Sequence, residues 1–192
     1  LKNNKLRSAD SISAFDELES VDLSHNNLSK IPDLKKNRRL KSAILGYNLL
    51  EEISCVENHG TIEVLDVGNC GLKSTKGISG LKRLKKLYCN KNNIGHIEIK
   101  DTPCLEFADF AENPASSQEG LEQAFRLKSL NLSGTKFESL ESIKCVSAET
   151  VYLNKMPKCS LKGIHRMIAL KDVRVSDRLN FANPEVKKEI RY

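Results

Sequence analysis

Apolar residues in this chain recur in short groups with a fixed internal spacing, and no long helical rhythm runs through them. In "LKRLKKLYCNKNNIGHIEI" the spacing is carried by Leu84, Leu87, Cys89, Asn92, Ile94 and Ile97. Taking the first apolar residue of each group as position 1, that position falls on Leu18, Leu40, Ile62, Leu84, Leu105, Leu127, Ala148 and Leu170, in steps of 21 or 22 residues. Position 4 holds Val21, Ala43, Leu65, Leu87, Ala108, Leu130, Val151 and Val173, and position 6 holds Leu23, Leu45, Val67, Cys89, Phe110, Leu132, Leu153 and Val175. Apolar residues two apart predict a short strand with one buried face. One strand per unit, always in the same direction, predicts a parallel sheet whose connections return along the back.

Position 9 is Asn26, Asn48, Cys70, Asn92, Asn113, Thr135, Met156 and Arg178. A buried Asn must satisfy both its carbonyl and its amide. Here it is expected to bond the backbone of adjacent turns. Cys and Thr can do part of that work, but Met156 cannot donate and Arg178 should not be buried, so irregular turns are expected toward the C-terminus. Leu1, Asn4 and Leu6 fit positions 6, 9 and 11 of an earlier unit, so the chain is expected to be part of a longer protein. "SSQEGLEQAFRL" is expected to hold the clearest return helix, with Leu121, Ala124 and Phe125 on one face. The ending "NFANPEVKKEIRY" breaks the repeat. Asn183 and Pro184 suit the start of a helix, and Val186 and Ile190 share a face. The predicted organisation is repeats over 1–179 and a short capping helix within 180–192.

The spacing L-x-x-L-x-L-x-x-N-x-I-x-x-I resembles the leucine-rich repeat pattern over nearly the whole chain. The 22-residue period resembles the intracellular class that includes phosphatase regulatory subunits, tubulin-folding cofactors, a dynein light chain, spliceosomal and RNA-export adaptors, and spindle-pole scaffolds. Bacterial internalins share that period. The resemblance implies an α/β solenoid: a right-handed superhelix with a curved parallel sheet on its concave side.

Composition fits this reading. Aromatics make up 5% of 192 residues and there is no Trp, which suits a narrow core of Leu, Ile and Val. The net charge of +6 favours neither nucleic acid nor an acidic protein decisively. No apolar run approaches the ~18–20 residues of a bilayer span, so no membrane partner is expected. The six cysteines form no C-x-x-C pair. They are expected to be reduced, buried thiols without disulfides, which points to a cytoplasmic or nuclear setting. Cys70 and Cys89 should point inward.

Catalytic patterns are missing. The four histidines occupy unrelated repeat positions, and no G-x-S-x-G, H-E-x-x-H or phosphate loop occurs. No metal or cofactor is expected. Two "NLS" stretches, at Asn27 and Asn131, are formal glycosylation sequons and are read as chance matches.

Function must then be sought on the outward face, at positions 3, 5 and 7, with 8 just beyond. Position 5 reads Asp22, Ile44, Asp66, Tyr88, Asp109, Asn131, Tyr152 and Arg174. Position 3 adds Val64, Lys86 and Phe107, and position 8 adds His25, Tyr47 and Lys155. Exposed aromatics beside charges are typical of protein-binding hot spots. Asp66 and Asp109 lie two repeats apart, about 10 Å, which exceeds the separation of paired catalytic carboxylates in retaining glycosidases. Position 2 alternates in sign: Glu19, Lys41, Glu63, Lys85, Glu106, Lys128, Glu149, Lys171. Neighbouring strands would thereby avoid stacked like charges.

Basic clusters, namely Arg38, Arg39 and Lys41, then Lys82, Arg83, Lys85 and Lys86, then Arg126 and Lys128, should align along one rim. The expectation is a non-enzymatic scaffold or adaptor, monomeric within a larger protein. It would bind a protein partner through Asp22, His25, Ile44, Tyr47, Asp66, Tyr88, Phe107, Asp109, Asn131, Tyr152 and Arg174. The alternatives are an RNA-associated adaptor using the basic rim, less favoured because aspartates face the phosphates, and a secreted bacterial internalin-like adhesin or effector.

Overall fold

The computed structural model describes residues 1–53, 56–156 and 158–175. Position 4 of each unit lies at the centre of a three-residue strand. With two further strands on the return side, the fifth and the seventh, the strands in chain order are β1 (Ser20–Asp22), β2 (Ser42–Ile44), β3 (Val64–Asp66), β4 (Lys86–Tyr88), β5 (His96–Glu98), β6 (Phe107–Asp109), β7 (Ser117–Glu119), β8 (Ser129–Asn131), β9 (Thr150–Tyr152) and β10 (Asp172–Arg174). Eight of them form one parallel sheet in the order β1-β2-β3-β4-β6-β8-β9-β10. The pairing register equates position 4 of every unit, from Val21↔Ala43 through Leu87↔Ala108 to Val173↔Val151. The repeat read from the sequence is therefore the repeat of the structure.

The strands are short because each unit has two inward side chains to bury and then must turn back. Leu65, Leu87 and Leu130 at position 4, and Leu45, Val67, Cys89 and Phe110 at position 6, have no exposed surface. At roughly 25 cal/mol per Å2 of apolar surface removed from water, this stacked core is the main force holding the units together.

The asparagines close each turn as expected. Asn92 donates from Nδ2 to the carbonyls of Val67 and Cys89 at 2.9 and 2.8 Å, and its Oδ1 accepts the N–H groups of Cys70 and Leu72 at 3.0 Å. Asn113 bonds Cys89, Phe110 and Ile94 in the same way. Cys70 substitutes weakly, its thiol donating to the Leu45 carbonyl at 3.4 Å. Thr135 donates to the Leu132 carbonyl at 2.6 Å and also lies 3.6 Å from the Met156 sulfur. Met156 therefore lies against Thr135 without donating to the ladder, since the one hydroxyl proton goes to the closer Leu132 carbonyl. Arg178 and the predicted 180–192 cap lie outside the described residues.

The returns depart from expectation in two respects. Residues 117–125 form strand β7 followed by a single 3-10 turn, Leu121–Gln123, entered through Gly120 at φ +101°. A Cβ on Gly120 would meet the Ile99 carbonyl oxygen at 1.6 Å, so only glycine fits. Leu121 and Ala124 are buried, but Phe125 is 71% exposed and does not share their face. The second departure is a ladder on the return side. β5 and β7 pair in parallel, and an isolated parallel bridge joins Ser139 and Ser160 further along the chain. On the other side, the Thr75 hydroxyl donates to the Glu98 carbonyl at 2.7 Å and accepts its N–H at 2.8 Å.

Cys70, Cys89, Cys104, Cys145 and Cys159 are free thiols, and Cys70 and Cys89 point inward. Burial pushes the Cys70 and Cys159 thiols up to about 11 and raises Cys89 and Cys145 as well. Cys55 lies outside the described residues.

Candidate interaction surface

The sheet brings the position-5 residues into one row. Asp22, Ile44, Asp66, Tyr88, Asp109, Asn131, Tyr152 and Arg174 are successive partners in the strand register. Each is half-buried except Arg174, which is exposed and donates from Nε to Asp172 at 2.6 Å. Phe107 stands in the adjacent position-3 row, and its ring lies 5.0 Å from that of Tyr88 at 43°. Tyr88 sits between Asp66 and Asp109, its register partners on either side, and Phe107 lies two residues before Asp109 on the same strand.

Part of this row has structural work that was not foreseen. Asp22, Asp66, Asp109 and Asn131 each accept, on Oδ1, the N–H of the residue two places on: Ser24, Gly68, Ala111 and Ser133, at 2.9–3.1 Å. Each side chain thereby ends its own strand. The two glycines at position 7 answer to the crowding of these side chains. A Cβ on Gly68 would meet Asn90 Oδ1 at 2.8 Å, and one on Gly46 would meet Asp66 Oδ1 at 3.0 Å. Position 7 was expected to face outward, yet Ser24, Gly46, Gly68 and Ser133 are buried. The signal was present in the sequence as D-x-S, D-x-G, D-x-A and N-x-S.

Burial raises the Asp66 and Asp109 carboxyls above the ordinary carboxylate range, against the lowering effect of the N–H groups they accept. Burial also acts on Asp22. There the Ser24 hydroxyl and N–H, together with the charge of Lys2, bring the carboxyl below that range.

His25 and Tyr47 lie beyond the strand ends, stacked at 4.2 Å and 10°. Both have positive φ, as do Asn3, Asn69, Lys91, Glu112, Gly134 and Lys155. Every position 8 from Asn3 to Lys155 is thus left-handed. Tyr47 and Lys155 are residue types that seldom adopt that conformation. The ring contacts bring the named aromatics together as two groups, His25 with Tyr47 and Tyr88 with Phe107, and Tyr152 belongs to neither.

The position-2 charges pair as the alternation implies. Lys41–Glu19, Lys85–Glu63, Lys128–Glu106 and Lys171–Glu149 lie at 3.1, 2.8, 3.7 and 2.8 Å. Arg39 also pairs with Glu17. Several of the rim cations therefore already have anionic neighbours. Among the described residues no three His, Cys, Asp or Glu side chains are grouped to hold a metal.

A family model described as Leucine Rich Repeat matches residues 17–37. This segment contains Leu18, Val21, Leu23, Asn26 and Leu28, and the same positions recur in register through all eight strands of the main sheet. The chain has the leucine-rich repeat fold.

Solved leucine-rich repeat structures share its fold. Internalin C2 of Listeria monocytogenes aligns with a TM-score of 0.75 at 17% identity, covering 91% of this chain and 78% of that one. An internalin F of the same organism aligns at 0.79 and 16%, covering 91% and 52%. The leucine-rich effector YopM of Yersinia pestis aligns at 0.68 and 20%, covering 84% and 44%. Among curated proteins, a protein phosphatase 1 regulatory inhibitor subunit homologue of Arabidopsis thaliana is 24% identical over 107 residues, which is 55% of this chain and 33% of that protein. The matched stretch covers about a third of the length of that relative.

Proposed function

We propose that this leucine-rich repeat protein is a non-enzymatic adaptor that binds a protein partner through the outward face of its main sheet, centred on Tyr88. The observation that carries the reading is the Tyr88–Phe107 ring pair, with Tyr88 set between the half-buried carboxylates of Asp66 and Asp109. The inward positions of these units are already filled, by Leu87 and Cys89 beside Tyr88 and by Ala108 and Phe110 beside Phe107, so the core has no need of these rings. Aromatic rings between partly desolvated charges make an anchor for a partner side chain. Asn131 makes the same strand-ending bond as the aspartates without a charge. The charge on Asp66 and Asp109 therefore serves something other than the turn, and a cationic group of the partner over Tyr88 would satisfy it. Tyr152, Asn131 and Ile44 extend the contact along the row. His25 and Tyr47 form a second contact point, Asp22 lies beside it, and Arg174 closes the far end.

The relative described as a phosphatase regulatory subunit homologue supports an adaptor role. Together with the reduced cysteines, it favours the cytoplasm or nucleus and a place within a larger protein. The RNA reading draws on the basic rim, but Asp66 and Asp109 would repel a phosphate backbone along the row. The internalin and effector structures share the fold at low identity and support no adhesin role. The test is a pull-down with the wild-type chain and a Tyr88→Ala/Tyr152→Ala variant, with bound proteins quantified by mass spectrometry. A protein retained by the wild type and lost with the variant supports the site. RNA as the specifically retained species, released steeply by added salt, would overturn it.

A further inference from the structure

The residue two places before position 1 changes character half-way along the array. In the first four full units it is Asp16, Arg38, Gly60 and Lys82, and in the next four Pro103, Phe125, Val146 and Ile168. The last four are all exposed, Phe125 to 71%, Val146 to 38% and Ile168 to 83%. They stand on the rim by which the chain enters its strands, in consecutive units, and the Ala169 N–H donates to the Val146 carbonyl at 3.2 Å across two of those turns. Strand spacing places Phe125 and Ile168 roughly 10 Å apart with Val146 between them. Single exposed apolar residues are ordinary, but a contiguous row marks a contact surface. Beside the row, Arg126 and Lys144 are exposed, and neither forms an ion pair among the described residues. Glu141, the nearby carboxylate of the next turn, is already shared by Lys162 and Arg166.

We propose that this row docks an acidic amphipathic helix of a partner protein. A helix advances about 5.4 Å per turn, close to the ~4.8 Å between units, so apolar residues at i, i+4 and i+7 track Phe125, Val146 and Ile168 in turn. Carboxylates flanking those anchors meet Arg126 and Lys144. The surface is separate from the Tyr88 face in position and opposite in charge, so the two can engage different parts of one partner or two partners.

Two fluorescein-labelled helical peptides test this. Both carry leucines at i, i+4 and i+7; one has glutamates on the flanking positions and the other lysines. By fluorescence anisotropy, the 192-residue chain should bind the glutamate peptide, and the lysine peptide about tenfold more weakly or less. Phe125→Asp/Ile168→Asp should weaken the glutamate peptide by about tenfold or more while leaving the melting temperature unchanged. Arg126→Glu/Lys144→Glu should reverse the preference between peptides, which keeps the test independent of the apolar substitutions. Tyr88→Ala should change nothing. Failure of the glutamate peptide to bind, equal binding of both peptides, or wild-type binding by the Phe125→Asp/Ile168→Asp variant would each overturn the proposal. So would capture of phosphatidylserine vesicles through these residues in place of the peptide.

Discussion

Asp66 and Asn131 occupy equivalent places in the outward row and make the same hydrogen bond. Asp66 Oδ1 accepts the Gly68 N–H at 2.9 Å, and Asn131 Oδ1 accepts the Ser133 N–H at 3.1 Å. Asparagine is therefore sufficient to end a strand here, and the carboxylate adds a charge that the fold must hold partly out of water.

This comparison fixes the sign of a pH effect. Burial raises the folded-state pKa of Asp66 and Asp109. Between the ordinary carboxylate pKa and the raised one, the folded protein holds more protons than the unfolded chain, so their contribution to stability falls as pH rises through that window. Asp66→Asn and Asp109→Asn should each be neutral or stabilising at pH 7, by up to about 1 kcal/mol, and the gain should vanish below the ordinary carboxylate range. Urea unfolding of each variant at pH 7 and pH 3 checks this. Clear destabilisation by Asp66→Asn at pH 7 would mean that the charge serves the fold.

The asparagine ladder predicts unequal costs along position 9. Asn92 satisfies the Cys89 carbonyl of its own turn and one carbonyl and two N–H groups of the preceding turn, and its removal leaves them buried without partners. Asn92→Ala should cost about 2–4 kcal/mol. Cys70→Ala breaks only long sulfur contacts and should cost less, about 1 kcal/mol. Equal losses in chemical denaturation would contradict this assignment of the bonds.

The cysteines should be slow in the native state and complete in the denatured one. With Cys70 and Cys159 pushed up to about 11 and Cys89 fully buried, little thiolate is available near neutral pH. Titration with an aromatic disulfide reagent should label these three only after denaturation, when all six cysteines of the sequence should react without reductant. A smaller final count would reveal a disulfide.

The ion-pair ladder can be tested by charge reversal. Lys85→Glu removes the 2.8 Å contact with Glu63 and sets like charges on neighbouring strands. It should cost about 0.5–1 kcal/mol at low salt and less at high salt, and be restored in part by Glu63→Lys, which remakes an opposite-sign pair but sets like charges against Lys41 and Glu106. A loss that resists both salt and the compensating change would point to lost packing instead.

The register was legible because it is over-determined. Positions 1, 4, 6 and 9 repeat in every unit, and a one-residue slip would turn Leu87 outward and Tyr88 inward. The sign alternation at position 2 was equally plain, since it concerns one residue type opposite another. Less of the return side was readable. Leu121 and Ala124 are three apart, which suits one 3-10 turn as well as an α-helix, and nothing in "QAFRL" signals that Phe125 faces solvent. The left-handed conformation at position 8 was hidden because Tyr47, Lys91 and Glu112 adopt it alongside Asn3, Asn69 and Gly134. Of the candidate site, the row itself was readable from period and spacing. The close contact of Tyr88 with Phe107 was not, because side-chain tilt across a strand pair does not follow from spacing alone.

The central claim is that Tyr88 faces a partner while Leu87, its neighbour, holds the fold. Leu87 is fully buried, and Leu87→Ala should destabilise the protein by about 2–5 kcal/mol. Tyr88→Ala should stay within about 0.5–1 kcal/mol of wild type in urea unfolding, allowing for its ring contact with Phe107. The decisive measurement is the affinity of the partner captured in the pull-down for folded Tyr88→Ala protein, determined by calorimetry. A loss of about 1–3 kcal/mol in binding free energy is expected. Unchanged affinity with unchanged stability would show that the outward row around Tyr88 is not the binding site.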